Sequence, residues 1–169
     1  MTVVIRERRP EDVPVLAAVL AEQQASSSYP VRWPLPIPVE DFLVRPGEEH
    51  AWVAEVDGQV VGHVAVYGVD GPLRDPFVAG AGTDQLAELA VLFVGLSAIG
   101  TGVGGRLIDT AVEWIRASGR QPVLDVVPVH DRALAVYVRR GWTVIGEVQP
   151  AYLGPDFPTV TLMTLTARP

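Results

Sequence analysis

Cysteine is absent from the 169-residue sequence, which excludes disulfides, thiolate metal sites and a cysteine nucleophile together. Histidine is scarce. The three present, His50, His63 and His130, lie too far apart for metal-ligand spacing, so no metal is expected. No uninterrupted apolar run reaches bilayer-spanning length, and Met1-Thr2-Val3-Val4-Ile5-Arg6 turns charged too soon for a secretory signal. Neither a membrane nor export is expected, and a cytoplasmic location is the default. Basic residues are outnumbered, 13 against 20 acidic, for a formal net charge of −7. That balance argues against nucleic acid, whose binding needs clustered cations, and suits cationic partners. A chain 49% hydrophobic and 20% charged predicts one globular domain over residues 1–169.

Thr2 to Ile5 is β-branched and weakly alternating, which predicts a first strand. Pro10-Glu11-Asp12 opens a helix with acidic first-turn residues, and Val13, Leu16, Ala17 and Leu20 recur at helical spacing toward Ala25. Four prolines between Ser26 and Pro38 exclude a helix or central strand there. That segment suits either a semi-rigid loop over a pocket or a plain connection. Val39 to Val44 predicts a short helix, and Ala51–Val56 and Val60–Tyr67 predict strands joined at Asp57-Gly58, a hairpin signal. Gly68 to Asp84, rich in Gly, Pro and Asp, is expected as a loop before a long strand over Gln85 to Val94. Leu107, Ile108, Ala111, Val112 and Ile115 then share one helical face, ending at Gly119. Val123 to Val129 predicts a buried strand, Asp131 to Arg140 a helix stopped by Gly141, and Trp142–Val148 and Thr159–Thr166 the last two strands.

The most informative stretch joins the long strand to the amphipathic helix, with four glycines crowded into Gly100-Thr101-Gly102-Val103-Gly104-Gly105. Glycines let backbone N–H groups approach a ligand, and a helix's first turn adds unpaired donors and a positive dipole end. A phosphate-bearing cofactor suits that arrangement better than an empty turn, which gains nothing from the backbone entropy the glycines cost. A nucleotide-triphosphate loop fits only in part, because Gly95 and Gly100 have its spacing but Thr101 stands where its lysine belongs. A dinucleotide fold would use the same glycines with Asp125, yet five residues separate strand from turn and Asp125 is mid-strand.

A second block, His130-Asp131-Arg132-Ala133-Leu134-Ala135-Val136-Tyr137-Val138-Arg139-Arg140-Gly141-Trp142, follows the glycine loop at a distance that resembles the GNAT superfamily of acetyl-CoA-dependent acyltransferases. In that family a Gln/Arg-x-x-Gly-x-Gly/Ala loop starts a helix after an apolar strand, and Ile99-Gly100-Thr101-Gly102-Val103-Gly104 is its counterpart here. Ile99 stands for the usual Gln or Arg, Gly95-Leu96 for the common x-Pro, and His130 for Asn. Main-chain donors survive these changes, since backbone amides bind pyrophosphate whatever the side chain.

The resemblance implies an α+β (α/β/α) single domain, with a mixed, mostly antiparallel sheet of six to seven strands flanked by about four helices. It implies acetyl-CoA as co-substrate, held by Leu92, Phe93 and Val94 of the strand, by Ile99, Gly100, Thr101, Gly102, Val103, Gly104 and Gly105 of the loop, and by His130, Ala133 and Tyr137 of the second block. Tyr137 matches a tyrosine that protonates the departing sulfur, although the same residue on a helix's inner face can simply be packed. Glu88 matches a carboxylate that deprotonates the amine, against the plainer role of a solvated strand-end charge. Asp84 and His130 are spare bases, and His63 is expected to be packed within its strand.

Tyr29, Trp33, Tyr152 and Phe157 sit in Pro/Gly-rich connections, where aromatics suit either the acceptor side of a cleft or a homodimer contact. The implied activity is N-acetyl transfer from the CoA thioester to a primary amine of a small molecule, amino acid or peptide. The competing expectation is a CoA-binding regulatory module that keeps the fold without the chemistry.

Overall fold

The computed structural model describes residues 1–166, with the side chain of Tyr152 excepted. Seven strands, β1 (Val3–Glu7), β2 (Glu48–Val56), β3 (Gln59–Gly68), β4 (Leu86–Val94), β5 (Gln121–Val126), β6 (Thr143–Val148) and β7 (Val160–Thr164), form a sheet in the order β1-β2-β3-β4-β5-β7-β6. The five helices are α1 (Asp12–Ser27), α2 (Val39–Leu43), α3 (Arg74–Ala81), α4 (Val103–Ala117) and α5 (Asp131–Arg139). β1–β2, β2–β3, β5–β7 and β6–β7 are antiparallel; β4–β5 is parallel over Leu86↔Gln121, Ala87↔Pro122 and Glu88↔Val123. The chain packs as two compact units, one of residues 1–67 and 89–114, the other of residues 68–88 with the chain from Ile115 onward.

In the first unit the β2–β3 hairpin turns at Asp57 and Gly58, whose φ angles of 50° and 83° are the pair of left-handed residues that a tight hairpin requires. Period-two alternation puts Ala51 and Val53 of β2, Ala65 and Tyr67 of β3, and Val91 and Phe93 of β4 in one core cluster with Leu16 and Leu20 of α1 and Leu43 of α2. Leu16, Leu20 and Leu43 are fully enclosed, and each such side chain contributes about 2 kcal/mol through lost apolar exposure. α4 meets β3 through Leu107, whose Cδ1 would lie 3.1 Å from a Cβ added to Gly62. Arg6 ties β1 to the start of α1 by a two-point pair with Asp12, both contacts at 2.8 Å. This pairing holds the Asp12 carboxyl below the usual carboxylate range, with a further hydrogen bond from Arg9 N–H.

The second unit corrects one expectation. The segment expected as a loop over Gly68 to Asp84 contains a 3-10 turn (Gly71–Leu73) and the eight-residue α3, giving five helices rather than about four. Pro76 and Gly80 obscure the helix in the sequence, yet neither breaks it. Pro76 lies in the first turn, where its missing N–H removes no intrahelical bond. Phe77 is fully buried among Val69, Leu73, Leu86, Val123, Val160 and Leu162. Gly80 is required by close approach, because a Cβ there would sit 2.6 Å from Ile145 O and 2.9 Å from Ile145 Cβ on β6. Gly80→Ala is therefore expected to destabilise by about 2 kcal/mol through overpacking, despite alanine's better helix propensity. A rise in the urea midpoint of the variant would contradict that. The strand expected over Val123 to Val129 starts at Gln121 and ends at Val126, two residues before Pro128, which cannot donate to a ladder. Among the described residues no helix is long and apolar enough to cross a membrane.

Candidate active site

The strand that feeds the glycine turn carries a strained residue at its centre. Val91 has φ +53°, a left-handed conformation in a β-branched residue, which costs on the order of 1–3 kcal/mol and persists only where its surroundings enforce it. Those surroundings are His63, whose Nδ1 lies 2.8 Å from Val91 O and whose ring stacks on Phe93 at 5.6 Å. His63 Nε2 is 3.0 Å from Arg8 Nη1, and Arg8 in turn forms a two-point pair with Glu48. Arginine only donates, so Nε2 accepts and the proton sits on Nδ1, which donates to Val91 O. Burial lowers the His63 pKa to about 4, partly opposed by the hydrogen bond to Val91, so the ring is neutral at ordinary pH. His63, expected as a packed residue, is fully enclosed as read. Its partner Val91 gave no signal in the sequence, where a left-handed residue normally announces itself with glycine.

Beyond Val94 the chain passes through Gly95, whose N–H donates to Val61 O at 2.7 Å, and a 3-10 turn over Leu96–Ala98. Gly100 and Gly102 have φ of +77° and +85°, and a Cβ on either would meet nothing within 4 Å. The turn thus presents backbone to open space, at positions where side chains are strained. α4 begins at Val103, with Arg106 N–H donating to Gly102 O at 3.2 Å as an i→i−4 bond. The amides of Gly102, Val103 and Gly104 precede it, where a helix cannot use its own donors. Val103 is fully buried and anchors the turn, Gly104 and Gly105 lie in the first helical turn, and Ile99 and Thr101 are exposed. Ser97, Ala98 and Thr101 line an open cleft of about 280 Å³, faced by Asp57, Gln59 and Val61. Both parts that a diphosphate needs, spare amides and a helix N-terminus without crowding side chains, are present.

In the second unit, α5 runs from Asp131 to Arg139 and ends with Gly141 at φ +91°. Trp142 N–H donates to Tyr137 O at 3.0 Å and Gly141 N–H to Val138 O at 3.1 Å, the two bonds of a Schellman cap. The same cap brings Trp142 edge-on to Tyr137, with ring centroids 5.8 Å apart. Tyr137 is buried, His130 and Ala133 are half-buried, and His130 N-caps the helix without a side-chain bond to it. Trp142 Nε1 is a buried donor with no hydrogen-bond partner among the described residues. Glu88 is half-buried on β4, at the last residue of the parallel register with β5. Asp84 is exposed before β4.

Of the residues considered for the acceptor side, Tyr29 packs edge-on against Phe42 at 6.0 Å against the first unit's core. Trp33 is half-buried in the proline-rich loop and Phe157 half-buried in the second unit. Tyr152 lies on a 3-10 turn, its side chain outside the described residues.

The sequence profile of the acetyltransferase (GNAT) family matches residues 16–142. The chain belongs to this family. Its fold is shared by a GNAT acetyltransferase from Streptococcus pneumoniae, at 21% identity and TM-score 0.67, covering 98% of this chain and 100% of that one. The ribosomal-protein-S18-alanine N-acetyltransferase from Escherichia coli is similar at 14% identity and TM-score 0.69, covering 99% and 97%. The PaiA N-acetyltransferase from Thermoplasma acidophilum, determined in complex with coenzyme A, gives 14% identity and TM-score 0.69, covering 99% and 100%. No curated protein matches the sequence. This GNAT protein is an acetyltransferase, and the family's acyl donor is acetyl-CoA.

Proposed function

We propose that this acetyltransferase moves an acetyl group directly from acetyl-CoA to a primary amine of a small molecule, amino acid or peptide. The observation that carries the reading is the left-handed turn at Gly100 and Gly102, with open space beyond it and the N-terminus of α4 behind it. Amides at the start of α4, those of Gly102, Val103 and Gly104, hold the diphosphate, with Ile99, Gly100, Thr101 and Gly105 shaping the turn around it, and the backbone of Leu92, Phe93 and Val94 pairs with the pantetheine arm. His130 and Ala133 at the start of α5 are further candidates for holding the cofactor, as the family resemblance implies. Acetyl-CoA supplies a thioester carbonyl carbon and a thiol leaving group. Glu88 takes the proton from the attacking amine, so that nitrogen presents a lone pair to that carbon. A main-chain N–H of β4 steadies the negative charge that develops on the carbonyl oxygen. Tyr137 gives its hydroxyl proton to the sulfur as the carbon–sulfur bond breaks. Tyr29, Trp33 and Tyr152 lie in connections suited to the acceptor's apolar part. The net charge of −7 favours amines that arrive as cations. We place the protein in the cytoplasm.

The test is release of CoA thiol, read with a disulfide reagent, across a panel of amines. The sequence contains neither cysteine nor lysine, so protein thiols give no background and lysine self-acylation consumes no donor. Release that depends on added amine is expected. Tight CoA binding with no amine-dependent release would instead favour a binding module without chemistry.

A further inference from the structure

His63 is a fully buried titratable group that none of the steps above uses. Four observations give it a task. Its Nδ1 proton is committed to Val91 O at 2.8 Å. Arg8 fixes the other ring nitrogen at 3.0 Å, and Glu48 fixes Arg8. Phe93 stacks on the ring. Val91 itself stands in a conformation its side chain disfavours. The peptide joining Val91 to Leu92 is trans, so its C=O and N–H point to opposite sides. Holding Val91 O toward β3 therefore aims Leu92 N–H away from β3, and regular strand geometry would leave that carbonyl to seek a neighbouring main chain instead.

We propose that His63 is a positioning residue for acetyl transfer, which locks the left-handed backbone of Val91 through its Nδ1–H and thereby points the Leu92 amide at the thioester carbonyl oxygen. This rests on the acetyltransfer reading above. The remaining charged or polar groups near the ring belong to the same network: Tyr67 OH lies 3.4 Å from Glu48, and the Arg45 guanidinium stands 5.4 Å from the Tyr67 ring centre. Within that network the Nδ1 proton goes to Val91 O, and the role of His63 is to hold a carbonyl, without exchanging a proton with substrate.

The experiment pairs a spectroscopic measurement with two amide variants. In the ligand-free protein, ¹⁵N–¹H correlation of the His63 ring is expected to show the Nδ1–H tautomer, unchanged from pH 5 to 8. An Nε2–H tautomer would overturn the proposal without touching the acetyltransfer reading. His63→Asn places an amide N–H where Nδ1 was, whereas His63→Gln reaches the Nε2 position and leaves Val91 O without its donor. Asn is expected to keep kcat within about threefold, and Gln to lose about tenfold or more, with KM for acetyl-CoA and CoA affinity within about threefold for both, since only a transition-state contact is lost. Equal kcat in the two variants would remove His63's role alone. Wild-type protein that binds CoA yet never turns over with any amine would overturn both readings. Matched melting temperatures for Asn and Gln exclude a purely structural cause for a kcat difference.

Discussion

Gly102→Asp is expected to weaken coenzyme A binding on the order of a hundredfold relative to Gly102→Asn, with the two variants equally stable. Gly102 holds φ +85°, and a Cβ there would project into open space with no atom within 4 Å. Asn and Asp tolerate left-handed backbone best among side-chain-bearing residues, so both incur a similar strain of about 1 kcal/mol, which cancels in the comparison. What differs is a carboxylate placed against the anion that the turn is proposed to hold. At a few ångströms and partial exposure, repulsion from a diphosphate is worth about 2–3 kcal/mol, and 1.4 kcal/mol is a factor of ten in affinity. Calorimetric titration with CoA measures the ratio. The gap should narrow as salt is raised, because exposed charges are screened. Equal affinities for Asn and Asp at low salt would place the diphosphate elsewhere.

What could be read beforehand follows from how local each feature is. Asp57-Gly58 announces its hairpin because two consecutive positive φ angles have few residue solutions. Gly141 announces the end of α5 for the same reason, and the Schellman cap then dictates that residue 142 meets residue 137. The glycine loop is legible because a turn that must leave its amides open cannot carry side chains over them. α3 was hidden because its two apparent breakers have tertiary reasons: Pro76 falls where no bond is lost, and Gly80 is set by Ile145, sixty-five residues away in sequence and invisible to any local rule. Val91 was hidden more deeply. A valine in an apolar run reads as ordinary strand, and the left-handed kink is enforced by His63 on a neighbouring strand, itself fixed by Arg8 from β1's end. Backbone geometry imposed by a distant side chain leaves no trace in the residue that bears it.

Tyr137→Phe is expected to lower kcat by about a hundredfold to a thousandfold, the usual worth of a positioned general acid, while leaving CoA affinity within about threefold. The structure favours a clean experiment. Tyr137 is 7% exposed and its ring rests edge-on against Trp142, so phenylalanine keeps the packing and the cap bond from Trp142 N–H to the residue 137 carbonyl. Stability should change by no more than about 1 kcal/mol, since only a hydroxyl leaves. A fall in kcat alone would also follow from a misplaced helix, so the leaving group provides the discriminating measurement. A thioester of a more acidic thiol expels its sulfur without needing a proton, and an acid's contribution shrinks with that need. With such a donor the Phe variant should approach wild-type kcat, whereas a positional defect would persist with both donors. A deficit of the same size for the two thioesters would assign Tyr137 to packing and leave sulfur protonation to solvent or another group.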